Sequence, residues 1–269
     1  MIMMLLVNAA VTVGIMILLW IMSRSLQDVS IVDIYWGPGF SVIALTSWLQ
    51  TPEATLHNIL LTGLAVLWGG RLGIYLLIRW FQKEGEDPRY VRMRANRSPN
   101  FELKSLWFVF LFQALVMFVV SVPLQVGIGG SGPDITWPLL WGGISLFSVG
   151  LFFEAVGDAQ LARFRADPAN KGQVMDRGLW AWTRHPNYFG DSLIMWSFYV
   201  VALAGVPGAW WTIFAPILMT YFLLRVSGVA LMERGLSKSK PGYADYVART
   251  SAFIPLPPKK NATTPVKPI

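Results

Sequence analysis

The sequence lacks cysteine altogether and contains only two histidines, His57 and His185. It can therefore form no disulfide, no thiolate nucleophile and no histidine-rich metal centre. Charge is also scarce: 14% of the 269 residues are charged, whereas soluble domains carry about 25%. With 54% hydrophobic residues and so few charges, the composition favours a membrane protein over a soluble domain.

The net charge of +7 is typical of a chain that meets nucleic acid or an anionic membrane. No long basic tract is separated from the apolar segments, so we expect membrane lipids as partners and no nucleic acid. The 13 Trp and 16 Phe suit aromatic belts at the membrane interfaces. No basic segment precedes the apolar N-terminus, so we do not expect a cleaved signal peptide.

Long apolar segments divide the chain, and a transmembrane helix needs about 20 apolar residues. The sequence predicts an all-α polytopic membrane protein with a seven-transmembrane helix bundle. We expect a single domain over 1–257 and a disordered, Pro- and Lys-rich tail over 258–269. The predicted spans are 3–22, 31–49, 57–81, 104–127, 137–157, 188–206 and 209–232.

Basic residues lie on one side of these spans. The connectors after the second, fourth and sixth spans contain no Lys or Arg, whereas every connector on the other side and the C-terminal tail contain them. The positive-inside rule therefore predicts an outside N-terminus and a cytoplasmic C-terminus. We expect a multi-pass protein of a bacterial inner membrane.

Charged residues inside a span cost at least about 2.5–3.5 kcal/mol, so each is a candidate for function. Arg71 and Arg225 lie roughly 16 Å and 12 Å inside their spans at 1.5 Å per residue, and we expect both to face the bundle interior. Asp33 can belong to a capping box that begins at Ser30 and opens the second span. Alternatively, Asp33 and Tyr35 present a carboxyl and a phenol to a cavity.

Glu154, Asp158 and Arg165 follow a spacing of four and then seven residues, which places them on one helical face. This arrangement indicates either a structural ion pair at a helix end or a polar groove for a phosphorylated cofactor.

The segment RHPNYFGD at 184–191 is the most informative part of the sequence. Pro186 suits the first turn of a helix, so the sixth span begins here. Free backbone N–H groups at that end favour an anion such as pyrophosphate. Asn187 and Asp191 lie one turn apart on one face. A simple capped helix start would need none of Arg184, His185, Asn187 and Asp191 together.

The RHPNY string at 184–188, the PGYADY string at 241–246 and the RTSAFIP string at 249–255 resemble the steroid 5-alpha-reductase superfamily. The resemblance is to its bacterial membrane proteins with a 5-alpha-reductase-like C-terminal domain. It is clearest over 140–257, and the DIYWG string at 33–37 and the WGGR string at 68–71 extend it towards the N-terminus. Sterol reductases and isoprenylcysteine carboxyl methyltransferases share the Arg-His-Pro core.

The resemblance implies a cytoplasm-facing pocket for NADPH. The family's cofactor-binding asparagine and acid match Asn187 and Asp191, and its aspartate and arginine after the fifth helix match Asp158 and Arg165. The other expected cofactor contacts lie in the same motifs or carry guanidinium groups suited to phosphates; they are Arg79, Glu154, Arg184, His185, Tyr188, Arg234 and Tyr246. For Arg79, snorkelling to the lipid headgroups is the alternative.

The resemblance also implies a substrate site, although the residues differ. Steroid 5-alpha-reductases bind the 3-oxo group with a glutamate on the second helix and a tyrosine on the third. This sequence has Asp33 and Tyr35 on the second span, and Trp68 at the apparent place of the tyrosine, with Arg71 and Tyr75 beyond it. We expect Tyr35 or Tyr75, oriented by Asp33, to donate a hydrogen bond to an enolate oxygen. Asp33 could itself donate if burial raised its pKa.

Three hypotheses follow for function. The leading one is NADPH-dependent reduction of an activated C=C bond in a lipophilic, steroid-like enone that enters from the bilayer. The second is S-adenosylmethionine-dependent methyl transfer of the isoprenylcysteine carboxyl methyltransferase type, with the cofactor at the start of the sixth span. The third is a lipid-binding or transport protein, although polar residues cluster in the cytoplasmic half and a permeation path needs polarity at both ends. The oligomeric state is left open.

Overall fold

The computed structural model describes residues 1–130, 132, 134–226 and 242–259. Within these ranges there is no β-strand, and seven helical segments are long and apolar enough to cross a membrane. The predicted all-α, seven-span fold is therefore confirmed, whereas the orientation of the termini stays a prediction. The spans are Ile2–Leu26, Val29–Leu49, Leu56–Gln82, Phe101–Val120, Trp137–Ala166, Pro186–Gly205 and Pro207–Val226.

We number the described α-helices in chain order. They are α1 (Ile2–Leu26), α2 (Trp36–Leu49), α3 (Leu56–Gln82), α4 (Pro88–Asn96), α5 (Phe101–Ser105), α6 (Phe112–Val120), α7 (Val122–Gly129), α8 (Trp137–Ala166), α9 (Leu179–Trp182), α10 (Pro186–Gly205), α11 (Phe214–Tyr221) and α12 (Tyr243–Arg249). Short 3₁₀ helices cover Val29–Tyr35, Pro168–Asn170 and Pro207–Ile213, and π-helical turns cover Leu106–Leu111 and Phe222–Val226.

The second span begins differently from the prediction. Its first part is the 3₁₀ helix Val29–Tyr35, and its N-cap is Asp28, whose Oδ1 accepts from the Ser30 backbone N at 2.8 Å. The capping box predicted from Ser30 to Asp33 is therefore wrong. Because Asp28 caps the 3₁₀ helix, the Asp33 carboxylate can bond to residues outside that helix.

Two other helix boundaries also differ. The predicted span 104–127 is divided at Ser121, because α6 ends at Val120 and Pro123 occupies the first turn of α7. Pro lacks the N–H that a continuous helix would need there. Conversely, α8 continues to Ala166 and does not stop at 157, so the charged residues after position 157 remain helical.

The chain forms two compact units. The first comprises Met1–Ile144 and Phe198–Ala215, and the second comprises Ser145–Ser197 and Pro216–Ile269. α8 and α10 each contain residues of both units. The single domain predicted over 1–257 stays a prediction, and most of the predicted tail at 258–269 lies outside the described residues.

Glycine allows α2 and α3 of the first unit to approach closely. A Cβ added at Gly37 would lie 2.5 Å from the Gly69 carbonyl oxygen, and one added at Gly73 would lie 2.5 Å from Pro38 Cγ. Membrane helices associate through such close packing because lipid provides no hydrophobic driving force. This contact fixes the start of the second span against α3.

A buried polar network joins α1, α2 and α7. Asn8 Nδ2 donates to Ser47 Oγ at 2.8 Å and to Gln125 Oε1 at 3.0 Å, while Thr46 Oγ1 donates to Asn8 Oδ1 at 2.7 Å. Gln125 Nε2 then donates to Ser121 Oγ at 3.0 Å. Asn8 lies in the N-terminal third of α1. The members of the network bond to one another, so it holds helices together.

Replacement of the buried asparagine tests that role. We predict that Asn8→Ala destabilises the protein by roughly 1–2 kcal/mol, because Ser47, Gln125 and Thr46 each lose a partner. The measurement is the Tm of the purified protein in detergent. Asn96→Ala, at an exposed position of α4, is the matched control and should leave the Tm unchanged. Equal Tm values for the two variants would contradict a structural role for the network.

Candidate functional site

The predicted site residues fall into two groups, one in each compact unit. The first unit contains Asp33, Tyr35, Trp68, Arg71, Tyr75 and Arg79. The second contains Glu154, Asp158, Arg165, Arg184, His185, Asn187, Tyr188, Asp191 and Tyr246. Arg234 lies outside the described residues.

Asp33 belongs to a hydrogen-bonded cluster that connects the second span to α4. Its Oδ2 accepts from Arg89 Nη2 at 2.6 Å, and its Oδ1 accepts from Tyr90 Oη at 2.8 Å. Gln113 Nε2 donates to Tyr90 Oη at 3.3 Å, and Trp36 Nε1 donates to Gln113 Oε1 at 2.6 Å. We call Asp33, Arg89, Tyr90 and Gln113 the acid–phenol cluster.

Tyr90 and Gln113 were not among the predicted site residues. One signal was the Asp87-Pro88 pair, which is typical of a helix start: Asp87 Oδ1 accepts from the Arg89 backbone N at 2.9 Å and caps α4. Gln113 was itself a signal, because it is a polar residue inside an otherwise apolar span. Neither signal alone identifies Asp33 as the shared partner.

The environment of the acid–phenol cluster keeps its phenol protonated. Burial raises the pKa of Tyr90 well above its ordinary value, and the neighbouring Asp33 charge raises it further. Burial alone would lower the pKa of Arg89, but the charges of Asp33 and Asp87 outweigh burial and raise it. The cluster therefore holds a guanidinium and a neutral phenol that both donate to one carboxylate.

Tyr35 is close to Asp33 in sequence but does not bond to it. Both Asp33 oxygens bond to α4, so Asp33 orients Tyr90 and not Tyr35 or Tyr75, which corrects the expected pairing. The Tyr35 hydroxyl is buried and has no hydrogen-bond partner among the described residues. Its ring packs at Gly39, where an added Cβ would lie 3.1 Å from Tyr35 Cε1. An unsatisfied buried hydroxyl costs about 1–3 kcal/mol, so this position favours an external acceptor.

The other predicted catalytic residues pack with aromatic rings. Trp68 is fully buried, and its ring lies edge-on to Phe40 and Phe198, with centroid distances of 5.2 Å and 5.9 Å. Trp68 stands where the resemblance predicts the family's substrate-binding tyrosine. In this structure it is a core residue. The half-buried Arg71 guanidinium lies 5.3 Å from the centroid of the Tyr75 ring, a cation–π contact.

The remaining arginines of the spans differ in burial. Arg79 is exposed and lines an open cleft together with Asp33 and Lys83. Arg225, which we expected to face the bundle interior, is exposed at the end of the described part of its span. A long arginine side chain at a span end can extend to the headgroups.

In the second unit, α8 and the start of α10 bring an acid and an amide together. Asn187 Nδ2 donates to Asp158 Oδ1 at 3.2 Å, and both Asp158 and Glu154 are buried. α10 begins at Pro186 as predicted, and Asp191 follows Asn187 by one turn. We call Glu154, Asp158, Asn187 and Asp191 the helix-start cluster.

Small residues make this contact possible. A Cβ added at Gly157 would lie 3.1 Å from Pro186 Cγ, and one added at Gly190 would collide with the Gly150 carbonyl oxygen. Arg165, in the last turn of α8, is exposed and does not share the buried environment of Glu154. The three-residue polar face predicted on α8 is therefore buried only in its first part.

Two predicted cofactor contacts hold α12 in place. Arg184 Nη1 donates to the Thr250 carbonyl oxygen at 2.6 Å and to that of Val247 at 3.2 Å. Such bonds satisfy the last carbonyl groups of a helix. Tyr246 Oη donates to the Trp180 carbonyl oxygen at 2.6 Å. These bonds give Arg184 and Tyr246 a positioning role, and cofactor contact by either stays a prediction.

His185 and Tyr188 stack on each other at the same helix start. Their ring centroids are 5.6 Å apart, and the planes differ by 9°. His185 is buried, whereas Tyr188 is half-buried. The stack places two aromatic rings beside Asn187, and the role of either ring in cofactor binding stays a prediction.

One known protein family matches most of the chain. The family described as "Protein of unknown function (DUF1295)" matches residues 19–250. The chain belongs to this family. DUF1295 is related to the steroid 5-alpha-reductase superfamily, so the resemblance seen in the sequence holds at that level. No solved structure matches the chain.

Two curated proteins are similar to this DUF1295 chain. An uncharacterised protein of Schizosaccharomyces pombe is 26% identical over 262 residues, which cover 88% of this chain and 75% of that protein. A probable O-methyltransferase of Ustilaginoidea virens is 32% identical over 73 residues, which cover 27% of this chain and 26% of that protein. The first similarity extends over most of the fold, and the second is local.

The raised pKa of Tyr90 predicts a dependence of stability on alkaline pH. The unfolded phenol loses its proton near pH 10, whereas the folded phenol keeps it to higher pH. The unfolded state then binds fewer protons, so stability falls as pH rises above about 10. We expect the Tm of Tyr90→Phe to fall less steeply there than that of the wild type. Tyr221→Phe, at an exposed position, should keep the wild-type slope; a wild-type slope in Tyr90→Phe would contradict the prediction.

Proposed function

We propose that this chain is an NADPH-dependent membrane reductase of an activated C=C bond in a lipophilic enone, of the 3-oxo-Δ4-steroid 5-alpha-reductase type. The observation that supports this most is the Tyr35 hydroxyl, which is buried without a hydrogen-bond partner among the described residues. An enone carbonyl oxygen would satisfy that donor in surroundings that exclude water. A lipophilic substrate would enter sideways from the bilayer.

In this proposal, Tyr35 is the residue that acts on the substrate. When bound, NADPH supplies the hydride that adds to the β-carbon of the enone. Tyr35 would donate its O–H to the carbonyl oxygen, on which negative charge develops during reduction; one such donor stabilises a transition state by roughly 3–4 kcal/mol. Tyr90 is less suited to this role, because its hydroxyl already donates to Asp33.

The helix-start cluster suits the polar parts of NADPH. The Asn187–Asp158 pair, 3.2 Å apart, combines an amide with a carboxylate, which matches carboxamide and ribose hydroxyl groups. Arg165, exposed in the last turn of α8, carries the planar guanidinium that phosphates select. Arg184 would act indirectly by holding α12 beside the same helix start. These residues fit the cofactor by their chemistry.

Cofactor binding can be tested at Asn187. We predict that Asn187→Ala raises the Kd for NADPH about tenfold or more, the effect of losing one or two hydrogen bonds. The measurement is nicotinamide fluorescence during titration of detergent-purified protein. Asn96→Ala should bind NADPH like the wild type. An unchanged Kd in Asn187→Ala would remove this residue from the cofactor site.

Turnover can be tested at Tyr35. We predict that Tyr35→Phe lowers kcat about 10²–10³-fold, the usual effect of removing one donor to an oxyanion, and leaves NADPH binding intact. The assay is NADPH oxidation with a panel of 3-oxo-Δ4 steroids and other lipophilic enones. Tyr221→Phe is the matched control and should retain activity. Wild-type turnover in Tyr35→Phe would exclude Tyr35 as the donor.

One observation favours a second candidate. The local similarity to a probable O-methyltransferase agrees with S-adenosylmethionine-dependent methyl transfer, for which the helix-start cluster would hold a smaller and less anionic cofactor. The same titration distinguishes the two activities. Saturable binding of S-adenosylmethionine without binding of NADPH would contradict the reductase proposal and support the methyltransferase.

A further inference from the structure

Two arginines of α4 are paired with carboxylates. Arg89 bonds to Asp33, and Arg94 Nη2 lies 3.0 Å from Glu86 Oε1. Arg97 is the C-cap of α4 and Lys104 lies in α5, on either side of the turn that joins these helices. Neither forms an ion pair with a carboxylate of the described residues. These two cations therefore remain for an anion from outside the chain.

Lys104 contacts the backbone of Arg97, and the Arg97 side chain packs on an aromatic ring. Lys104 Nζ donates to the Arg97 carbonyl oxygen at 3.0 Å. The Arg97 guanidinium lies over the Phe108 ring, 4.2 Å from its centroid. Its Nη1 is buried and has no hydrogen-bond partner among the described residues. An unsatisfied guanidinium nitrogen is unfavourable, and a bound anion would give it a partner.

Apolar side chains surround this turn on the outer surface of the span. Leu103 is 58% exposed, Trp107 is 67% exposed and Phe108 is 56% exposed. In a chain that crosses a membrane, such side chains contact acyl chains near the interface. The acid of α5, Glu102, lies 3.6 Å from Arg24 and is paired there. The turn thus combines unpaired cations with an apolar flank.

We propose that Arg97 and Lys104 bind the phosphate of an anionic phospholipid, whose acyl chains lie along Leu103 and Trp107. Arginine prefers phosphate because its planar fork donates two parallel hydrogen bonds. The site lies on the side of the membrane that the charge distribution predicts to be cytoplasmic, where anionic lipids are enriched. A lipid bound there would also fix the end of α4, whose first turn supplies Arg89 and Tyr90 to the acid–phenol cluster.

The test is a titration of the detergent-purified full chain with phosphatidylglycerol, phosphatidylcholine or inorganic phosphate, with Tm as the readout. Phosphatidylglycerol should raise the Tm saturably, and the other two should raise it little. Arg97→Gln and Lys104→Gln should each need about tenfold more phosphatidylglycerol for half the effect. Arg92→Gln, an exposed arginine of α4 whose Nε donates to the Pro88 carbonyl oxygen at 3.1 Å, is the matched control and should respond like the wild type.

Several outcomes would overturn the proposal. An equal response to phosphatidylcholine would assign the effect to acyl chains alone, and an equal response to inorganic phosphate would assign it to a soluble anion. A wild-type response in Arg97→Gln would remove the guanidinium from the site. If Arg97→Gln does not fold, Lys104→Gln tests the same claim, and its wild-type response would overturn the paired-cation site.

Discussion

The absence of water in the hydrocarbon core is the constraint on which this structure depends, because polar groups there must be satisfied within the protein. Asn8 meets it through Ser47 and Gln125, and Asn187 meets it through Asp158. Each of these pairs joins different helices, so the same bonds that satisfy polar groups also fix helix positions. The buried Tyr35 hydroxyl departs from this pattern among the described residues, which is why we assign a ligand to it.

Segments outside the spans are positioned by the same kind of contact. α4 is fixed to the second span because Arg89 and Tyr90 both donate to Asp33. α12 is fixed beside the start of α10 because Arg184 donates to the carbonyl oxygens at the end of α12. In both cases an arginine side chain connects the segment to its neighbour, although Arg89 is exposed and Arg184 is buried. Arg97, which has no carboxylate partner, differs from them in this respect.

Hydropathy predicted the spans well because membrane insertion depends on local composition, and Pro186 predicted the start of α10 because proline acts within its own turn. The resemblance assigned Asp158 and Asn187 to the expected cofactor site but did not predict that they contact each other. The contact between Asp33 and Tyr90 was not predictable, since its partners are separated by 57 residues and no periodicity reports such a pairing. The Asn8 network was missed for the same reason: single polar residues in apolar segments do not reveal their partners.

The most direct test of the account is an experimental structure of the protein in a lipid nanodisc with NADPH and a 3-oxo-Δ4 steroid bound. The decisive measurement is the distance from Tyr35 Oη to the steroid carbonyl oxygen. We predict a hydrogen bond of about 2.5–3.0 Å between these two oxygens. A Tyr35 hydroxyl bonded to the protein, with the steroid carbonyl held by another group, would contradict it.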